Sequence, residues 1–362
     1  MDYQARRDKL RRMLNKLDVD AALVTHFPNV TYLTGFTGDD SFLLLRRDGE
    51  VLLSDGRYVT QLQEECPGLD LHIRATGTGI NQAIVRTLRA AGVGRLAVEG
   101  DSMTVGQRDR LAEKLPKLRI VVASGLVERL RQIKDKEEIA EIRRAIWYAE
   151  RAFGAIRAAW RSEQTEKDLA DELDHQFRRF GARGASFPPI VAAGARAALP
   201  HATPTRQTLD RAELVLVDWG AEGWLYKSDL TRVLLTAKIS PKLRRIYEVV
   251  LRAQTRAIAA VRPGVTGAEV DAVARRVIAE AGFGRRFGHG LGHGLGLEVH
   301  EAPRLSAKDT TVLRPGMVIT IEPGIYLPGW GGVRLEDDVL VTRGGREVLS
   351  SAPKQLEEMI VG

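Results

Sequence analysis

The chain has 362 residues, of which 44% are hydrophobic and 28% charged, a balance typical of a folded protein with two or three domains. The net charge is +7, but residues 1–130 carry 19 basic and 17 acidic side chains, so the small, interleaved excess does not predict nucleic-acid binding. Cys66 is the only cysteine, which excludes an intrachain disulfide. Because the chain has neither an apolar leader nor a run of about 18 apolar residues, we expect a cytoplasmic protein without a membrane partner.

The first 127 residues alternate between helix and strand patterns. An amphipathic helix over residues 1–15 precedes an apolar strand at 21–25. Asp48-Gly49 lies between two apolar runs and predicts a β-hairpin. Two further helix–strand pairs follow, at 81–91 with 95–98 and at 106–115 with 119–122. This alternation predicts a small α/β domain over residues 1–127.

The rest of the chain, residues 128–362, has the pattern of a duplicated domain. A helix with a threonine N-cap and a glycine stop at 165–181 has a counterpart at 266–282. Two strand patterns that carry carboxylates also recur in the same order. We interpret residues 136–240 and 241–342 as two copies of one helix–helix–strand–strand unit.

Four carboxylates follow or interrupt the apolar strand patterns of the two copies: Asp218, Asp229, Glu322 and Glu336. Each of them alone is explained by a solvated strand end, because a buried carboxylate is costly unless it is paired or metal-bound. Their recurrence at related positions predicts instead that strand pairs bring all four together in the middle of the domain. Carboxylates at such distances cannot all be ionised without cations between them. Their oxygens suit divalent ions such as Mn²⁺, Co²⁺ or Zn²⁺.

A glycine-rich segment supplies histidines. His289, His293 and His300 lie within twelve residues, and the alternating glycines disfavour a helix. We expect an extended segment, in which an unbroken strand would point His289 and His293 to one face; a surface loop with incidental histidines is the alternative. His201 precedes the carboxylate strand of the first copy. The chain has no serine nucleophile elbow, dinucleotide fingerprint, Walker A motif or zinc-binding His-Glu-x-x-His helix, so a two-metal carboxylate–histidine site is favoured.

These residues resemble the proline-specific pita-bread metallopeptidases, aminopeptidase P and prolidase, over essentially the whole chain. The resemblance is carried by residues 26–36 and 130–138, the eleven-residue spacing of the two aspartates, the three histidines, Ile321–Gly324 and Arg334–Glu336. It implies a creatinase-like α/β domain followed by an α+β pita-bread catalytic domain with an internal two-fold duplication. It also implies five metal ligands, of which the second and the last bridge two ions: Asp218, Asp229, His293, Glu322 and Glu336.

The function implied by the resemblance is hydrolysis of the bond before proline in peptides whose second residue is proline. Hydroxide held between two divalent ions, with Mn²⁺ expected, would attack the carbonyl. Glu322 would manage the proton, His201 and His300 would donate to the carbonyl oxygen, and His289 with Arg334 would hold the proline side. We predict an aminopeptidase P-like enzyme, with Xaa-Pro dipeptidase (prolidase) as the alternative. Another hydrolase on the same fold and a non-catalytic binding protein are more distant alternatives, and the resemblance suggests a homodimer.

Overall fold

A computed structural model of the chain describes residues 1–210, 212–236 and 239–361. The described residues form two compact units, Met1–Arg131 and Gln132 onward. Three positions within the predicted first copy, residues 211, 237 and 238, lie outside the described residues.

A six-stranded mixed sheet is the centre of the first unit. Its strands are β1 (Ala21–Val24), β2 (Phe42–Arg46), β3 (Glu50–Asp55), β4 (Leu71–Arg74), β5 (Arg95–Val98) and β6 (Arg119–Val122). The strand order is β4-β3-β2-β1-β5-β6, in which β1–β2 and β2–β3 are antiparallel and the other pairs are parallel. The helices are α1 (Tyr3–Leu17), α2 (Phe27–Thr34), α3 (Val59–Glu65), α4 (Ile80–Ala90), α5 (Val105–Lys114) and α6 (Glu128–Arg131).

The predicted hairpin is present between β2 and β3. The strands pair antiparallel, and the amide of Arg46 donates to the carbonyl oxygen of Gly49 at 2.8 Å. The sequence did not predict α2, because its residues Asn29 to Thr34 are all buried and leave no amphipathic period. The short elements α3 and β4 were missed as well. Helix α2 ends at Gly35, which has a φ of +84° that glycine adopts without strain.

The second unit combines helices with antiparallel sheets. Its helices are α7 (Lys136–Ala158), α8 (Glu166–Arg179), α9 (Pro241–Ala260) and α10 (Gly267–Glu280). Its strands are β7 (Gly184–Ala185), β8 (Ile190–Ala193), β9 (Leu214–Trp219), β10 (Ala221–Glu222), β11 (Leu230–Leu235), β12 (Gly292–Gly294), β13 (Glu301–Leu305), β14 (Val318–Ile321), β15 (Gly324–Leu327), β16 (Gly331–Arg334), β17 (Asp337–Thr342) and β18 (Gly345–Val348). Within the described ranges of the chain, no helix combines the length and the apolarity that crossing a membrane requires.

The order of elements in this unit follows the predicted duplication. The helix pair α7–α8 precedes a sheet of order β11-β9-β8, and the pair α9–α10 precedes a sheet of order β13-β12-β14-β17-β18. A backbone bridge joins the two halves, because the amide of Glu336 donates to the carbonyl oxygen of Thr231 at 3.1 Å. Superposition of the halves by a near two-fold rotation stays a prediction.

One aromatic pair fixes the face that β9 turns toward the helices. Phe153 on α7 stacks on Trp219 with ring centroids 4.1 Å apart, and the indole N–H of Trp219 donates to the carbonyl oxygen of Ala149 at 2.9 Å. Successive side chains of a strand point to opposite faces. Asp218, the residue before Trp219, is therefore directed away from α7.

The expectation of an unbroken strand through His289 and His293 is wrong. Strand β12 covers only Gly292–Gly294, and the chain bends at His289. The bend has a physical reason: the guanidinium of Arg275 on α10 donates to the carbonyl oxygens of Phe287 and His289 at 3.0 and 2.9 Å and holds this stretch against the helix. Both histidines nevertheless face one cavity.

Candidate metal centre

A cavity of about 550 Å³ in the second unit is lined by every site residue that the sequence predicted. These residues are His201, Asp218, Asp229, His289, His293, His300, Glu322, Arg334 and Glu336. They come from both halves of the duplicated unit, as expected if two strand pairs meet in its middle.

Strand pairing brings the first two carboxylates together. Asp218 on β9 is the register partner of Thr231 on β11, so their side chains share a face of the sheet. Asp229 lies two residues before Thr231 and therefore points to the same face. Both carboxylates are buried. Side chains alternate between the two faces of these strands. The same alternation places the neighbouring apolar residues in the core and directs both acids into the cavity.

The other two carboxylates are placed by the second half. Glu322 directly follows β14, and its amide donates to the carbonyl oxygen of Leu291 at 2.8 Å, beside the histidine-bearing segment. Glu336 lies between β16 and β17 and accepts a hydrogen bond of 2.6 Å from the hydroxyl of Thr231. Thr231 therefore touches the candidate ligand of the opposite half through both its backbone and its side chain.

The ring nitrogens of His293 have different surroundings. Nδ1 lies 3.1 Å from the carbonyl oxygen of Gly294, which assigns the hydrogen to Nδ1. Nε2 faces the acids, 3.6 Å from Oδ2 of Asp229 and 3.5 Å from Oε1 of Glu322. Burial lowers the pKa of His293 to about 3, so the ring is neutral and its Nε2 lone pair is free to bind a metal ion.

The donor set fits divalent metal ions. One oxygen each of Asp229 and Glu336 and one ring nitrogen of His293 lie within 4.8 Å of one another. Oδ1 of Asp218 is buried and has no hydrogen-bond partner among the described residues. Buried oxygens with one imidazole nitrogen are ligands that Mn²⁺, Co²⁺ and Zn²⁺ accept. The buried Oδ1 of Asp218 is therefore available to a cation, because it is not used in a hydrogen bond with the described residues.

Electrostatics supports the same conclusion. Burial, followed by the charge of Glu336, raises the pKa of Asp229 well above its ordinary value. Burial together with the charge of Glu322 does the same to the pKa of Glu336, and burial raises the pKa of Glu322 to about 8. The protein alone therefore does not stabilise all of these carboxylates as anions, whereas bound divalent cations would.

A chain of hydrogen bonds beside the acids includes Thr231 and Tyr326, two residues that the sequence did not single out. Arg334 forms a short ion pair with Asp218 and donates to Oγ1 of Thr231 at 3.1 Å and to the hydroxyl of Tyr326 at 2.8 Å. Nε2 of His289 lies 2.8 Å from the same hydroxyl, and its Nδ1 lies 2.7 Å from the carbonyl oxygen of Gly290. Both nitrogens of His289 thus lie at hydrogen-bond distance from a neutral polar group, whereas Nε2 of His293 faces carboxylates at 3.5 and 3.6 Å. A buried tyrosine needs a partner for its hydroxyl, which is the one sequence signal for Tyr326.

His300 and His201 line the same cavity from different loops. The ring of His300 packs edge-on against that of His293 with centroids 4.4 Å apart. Burial lowers the pKa of His300, and the charge of Arg304 acts in the same direction. His201 is exposed on the loop before β9. Both side chains can therefore face a substrate carbonyl, while Nε2 of His293 remains available to a metal ion.

Arg304 is a cavity residue that sequence reasoning missed. It lies on β13 as the register partner of His293, so the two side chains share a face. It is exposed, and its guanidinium has no hydrogen bond or ion pair with any residue in the described part of the chain. No pattern in the sequence marked Arg304, because its place beside His293 is set by the pairing of β13 with β12.

The profiles of two protein families match the chain. The profile of metallopeptidase family M24 matches residues 140–343, which is more than half of the chain. The chain belongs to metallopeptidase family M24. The creatinase/prolidase N-terminal domain profile matches residues 6–133. The predicted family and the predicted two-domain α/β class, with a creatinase-like domain before the pita-bread domain, are thereby confirmed.

Relatives within this M24 family cover nearly the whole protein. The Xaa-Pro dipeptidase of Pyrococcus horikoshii is 35% identical over 96% of this chain and 97% of its own length. The solved structure of an Xaa-Pro dipeptidase from Bacillus anthracis has a TM-score of 0.95 and 37% identity, covering 99% of this chain and 100% of that chain. An X-Pro aminopeptidase from Thermotoga maritima has a TM-score of 0.88 and 33% identity, covering 96% and 99%. The predicted enzyme class, a metallo-exopeptidase, is confirmed.

Proposed function

We propose that this M24 peptidase is an Xaa-Pro dipeptidase, which hydrolyses dipeptides whose second residue is proline. From the sequence alone, an aminopeptidase P-like activity is predicted first, with the dipeptidase as the alternative. The order is reversed here because the Pyrococcus and Bacillus relatives are named as dipeptidases. A second reason is that the guanidinium of Arg304 lines the cavity without an anionic partner among the described residues. A cytoplasmic location and a homodimer stay predictions.

The proposed metal ligands are those implied by the resemblance. Asp218, Asp229, His293, Glu322 and Glu336 would hold two divalent ions, with Mn²⁺ as the expected metal. When bound, such ions supply Lewis acidity and lower the pKa of water toward neutrality. This assignment is supported by the free Nε2 of His293, the unpartnered oxygen of Asp218 and the crowding of buried acids.

The protein groups around these ligands have distinct proposed tasks. The carboxylate of Glu322 lies within 4 Å of both His293 and His289 and is placed to take the proton from the attacking water. His300 and His201 would donate hydrogen bonds to the carbonyl oxygen as it gains negative charge. His289 and Arg334, tied together through the hydroxyl of Tyr326, would hold the proline side of the substrate.

The observation that carries the dipeptidase proposal is Arg304. An Xaa-Pro dipeptide has a free carboxylate one residue after the bond that is cut, whereas a longer peptide has a neutral amide there. Arg304 lies across the strand pair from His293 and has no anionic partner among the described residues. An arginine can bind a carboxylate through two parallel hydrogen bonds, which favours a substrate that ends at proline.

The test compares dipeptides with tripeptides in the wild-type enzyme and in Arg304→Ala. We expect wild-type enzyme with Mn²⁺ to prefer Xaa-Pro over Xaa-Pro-Yaa. In Arg304→Ala, KM for the dipeptide should rise about 10- to 100-fold, the effect of a lost charge-assisted hydrogen bond, while KM for the tripeptide changes little. The matched control is Arg276→Ala, which removes an exposed arginine from α10 and should leave both substrates unaffected.

A second candidate is Xaa-Pro aminopeptidase activity, because the Thermotoga relative is named as an X-Pro aminopeptidase and also covers nearly the whole chain. It would use the same ligands but would accept peptides that continue past proline. Preference for tripeptides, with equal loss on both substrates in Arg304→Ala, would favour this candidate over the dipeptidase.

A further inference from the structure

A loop that carries a cavity histidine is held at both ends by one buried carboxylate outside the cavity. The loop runs from Ala193, the last residue of β8, to Thr205, and His201 lies near its middle. Glu166, the first residue of α8, is fully buried. It accepts hydrogen bonds from the amide of Ala193 at 2.8 Å and from the amide and hydroxyl of Thr205 at 2.9 and 2.7 Å. Glu166 thus holds both the beginning and the end of the loop, and we refer to these contacts as the Glu166 clasp.

A third contact extends this clasp toward the histidine. Both carboxylate oxygens of Glu166 accept from Nε of Arg196 at 3.0 Å. The guanidinium of Arg196 in turn donates to the carbonyl oxygen of Thr203 at 2.6 Å, two residues from His201. The side chain of His201 is exposed and forms no hydrogen bond or ion pair with the described residues, so its position depends on how firmly this backbone is held.

Capping of α8 does not explain the presence of Glu166. Thr165 and Asp168 already form a complete capping box at this helix terminus. The corresponding helix of the second half, α10, has the same box between Thr266 and Glu269, and its first residue is Gly267. A helix of this type therefore begins without a carboxylate at that position. The acid in the first half has a different task.

The donors around Glu166 also require a carboxylate rather than an amide. The amides of Ala193 and Thr205 donate to different oxygens of the side chain. In a glutamine one of these oxygens becomes an NH₂ group, which would face an N–H donor at hydrogen-bond distance. A buried donor left without an acceptor is costly, so an amide of the same shape would release one end of the loop.

We propose that Glu166 is a positioning residue for His201, holding the loop 193–205 so that the imidazole faces the substrate carbonyl. The inference rests on the proposed function in one respect, the hydrogen bond that His201 donates to the reacting carbonyl. The clasp itself, which consists of the contacts of Glu166 with Ala193, Arg196 and Thr205, does not depend on the proposed function. Glu166 touches neither the substrate nor the proposed metal ligands.

The first test measures amide hydrogen exchange in the full-length, Mn²⁺-loaded protein. Glu166→Gln should accelerate exchange within residues 194–205 by about tenfold or more, while exchange in the middle of α8 is unchanged. The control in the same helix is Asp168→Ala, which removes the carboxylate that accepts from the amide and hydroxyl of Thr165 and should accelerate exchange only in the first turn of α8. Unchanged protection of the loop in Glu166→Gln would overturn the clasp whatever the enzyme hydrolyses.

The second test is a double-mutant cycle on the hydrolysis of an Xaa-Pro dipeptide. In the wild-type background Glu166→Gln should lower kcat about 10- to 100-fold with little change in KM, since His201 acts on the transition state. In a His201→Ala background the same substitution should cost less than about twofold, because the group that it positions is gone. Metal content should equal that of wild type in each variant.

The outcomes separate this inference from the proposed function. An equal loss of kcat in both backgrounds would mean that Glu166 serves only stability, and it would overturn the positioning role while leaving the dipeptidase proposal intact. A metal-loaded wild-type enzyme that hydrolyses no Xaa-Pro peptide would overturn the proposed function, and with it the task of His201. If the wild-type enzyme hydrolyses the dipeptide, Asp168→Ala should keep the wild-type kcat.

Discussion

Two histidines four residues apart, His289 and His293, differ in what their ring nitrogens contact. Burial lowers the pKa of His289 to about 4 and that of His293 to about 3, so both rings are neutral at pH 7. In His289 both nitrogens already have polar neighbours, the carbonyl oxygen of Gly290 and the hydroxyl of Tyr326. In His293 one nitrogen is left facing carboxylates. Spacing alone does not distinguish a ligand from a neighbour of the substrate, but these contacts do.

The distinction between ligand and donor predicts different defects for His293→Ala and His300→Ala. Loss of the His293 nitrogen should lower metal content and activity together. Loss of His300 should leave the metal bound and lower kcat by about 10²–10³-fold, the cost of one oxyanion-type hydrogen bond. Metal analysis alongside steady-state kinetics of both variants checks this. A His300→Ala enzyme that loses its metal, or that turns over at the wild-type rate, would refute the assignment.

At the residue scale the first unit also has a pH-sensitive ion pair. Hydrogen bonds from Arg57, with a further contribution from Arg74, lower the pKa of Asp55 to about 2. A lowered pKa in the folded state stabilises the fold above pH 4, and this contribution is lost as the pH falls toward 2. Asp55→Asn should therefore be less stable than wild type at pH 6, with the difference shrinking between pH 4 and pH 2.

Thermal unfolding of the full-length protein across that pH range measures the effect. Asp101→Asn, which removes an exposed aspartate of the same unit, is the control and should show no such convergence. A difference between Asp55→Asn and wild type that stays constant down to pH 2 would show that the ion pairs of Asp55 do not stabilise the first unit.

At the element scale, strand β12 depends on close backbone approach. A Cβ atom added to Gly292 would lie 2.1 Å from the carbonyl oxygen of Thr320, whereas one added to Gly288 would meet nothing within 4 Å. Gly292→Ala should therefore displace β12 and His293 and destabilise the protein by roughly 1–3 kcal/mol or more, with loss of metal binding. Gly288→Ala in the same segment should be close to neutral. Unfolding midpoints and metal content of the two variants decide the matter; wild-type values for Gly292→Ala would contradict it.

Elements with a clear period were predictable from sequence, and those without one were not. The long helices α7 to α10 show apolar residues at helical spacing with threonine, serine or aspartate caps, and the acids stand out against their apolar strands. Helix α2 is buried on all sides, and β12 is only three residues long, so neither has a readable period. Glu166 and Tyr326 were not predicted because their roles depend on contacts with residues distant in sequence, Thr205 for Glu166 and His289 for Tyr326.

At the scale of the whole molecule, the duplication explains why the cavity lies where it does. Each half supplies two helices and a sheet, and the bridge between Thr231 and Glu336 joins the sheets beside the buried acids. Two halves with related strands bring related carboxylates to one centre, which neither half would form alone. The number of nearby acids is therefore a property of the complete second unit, and so is the affinity for divalent ions that they imply.

Xaa-Pro hydrolysis by this protein should require bound metal, and one measurement tests this link directly. The measurement is a titration of metal-free protein with Mn²⁺, in which bound metal and the hydrolysis of an Xaa-Pro dipeptide are followed together. We predict no hydrolysis without metal and an activity that reaches its maximum when each chain has bound two ions. Hydrolysis by the metal-free protein, or Mn²⁺-loaded protein that leaves the dipeptide intact, would contradict a metal-dependent Xaa-Pro dipeptidase.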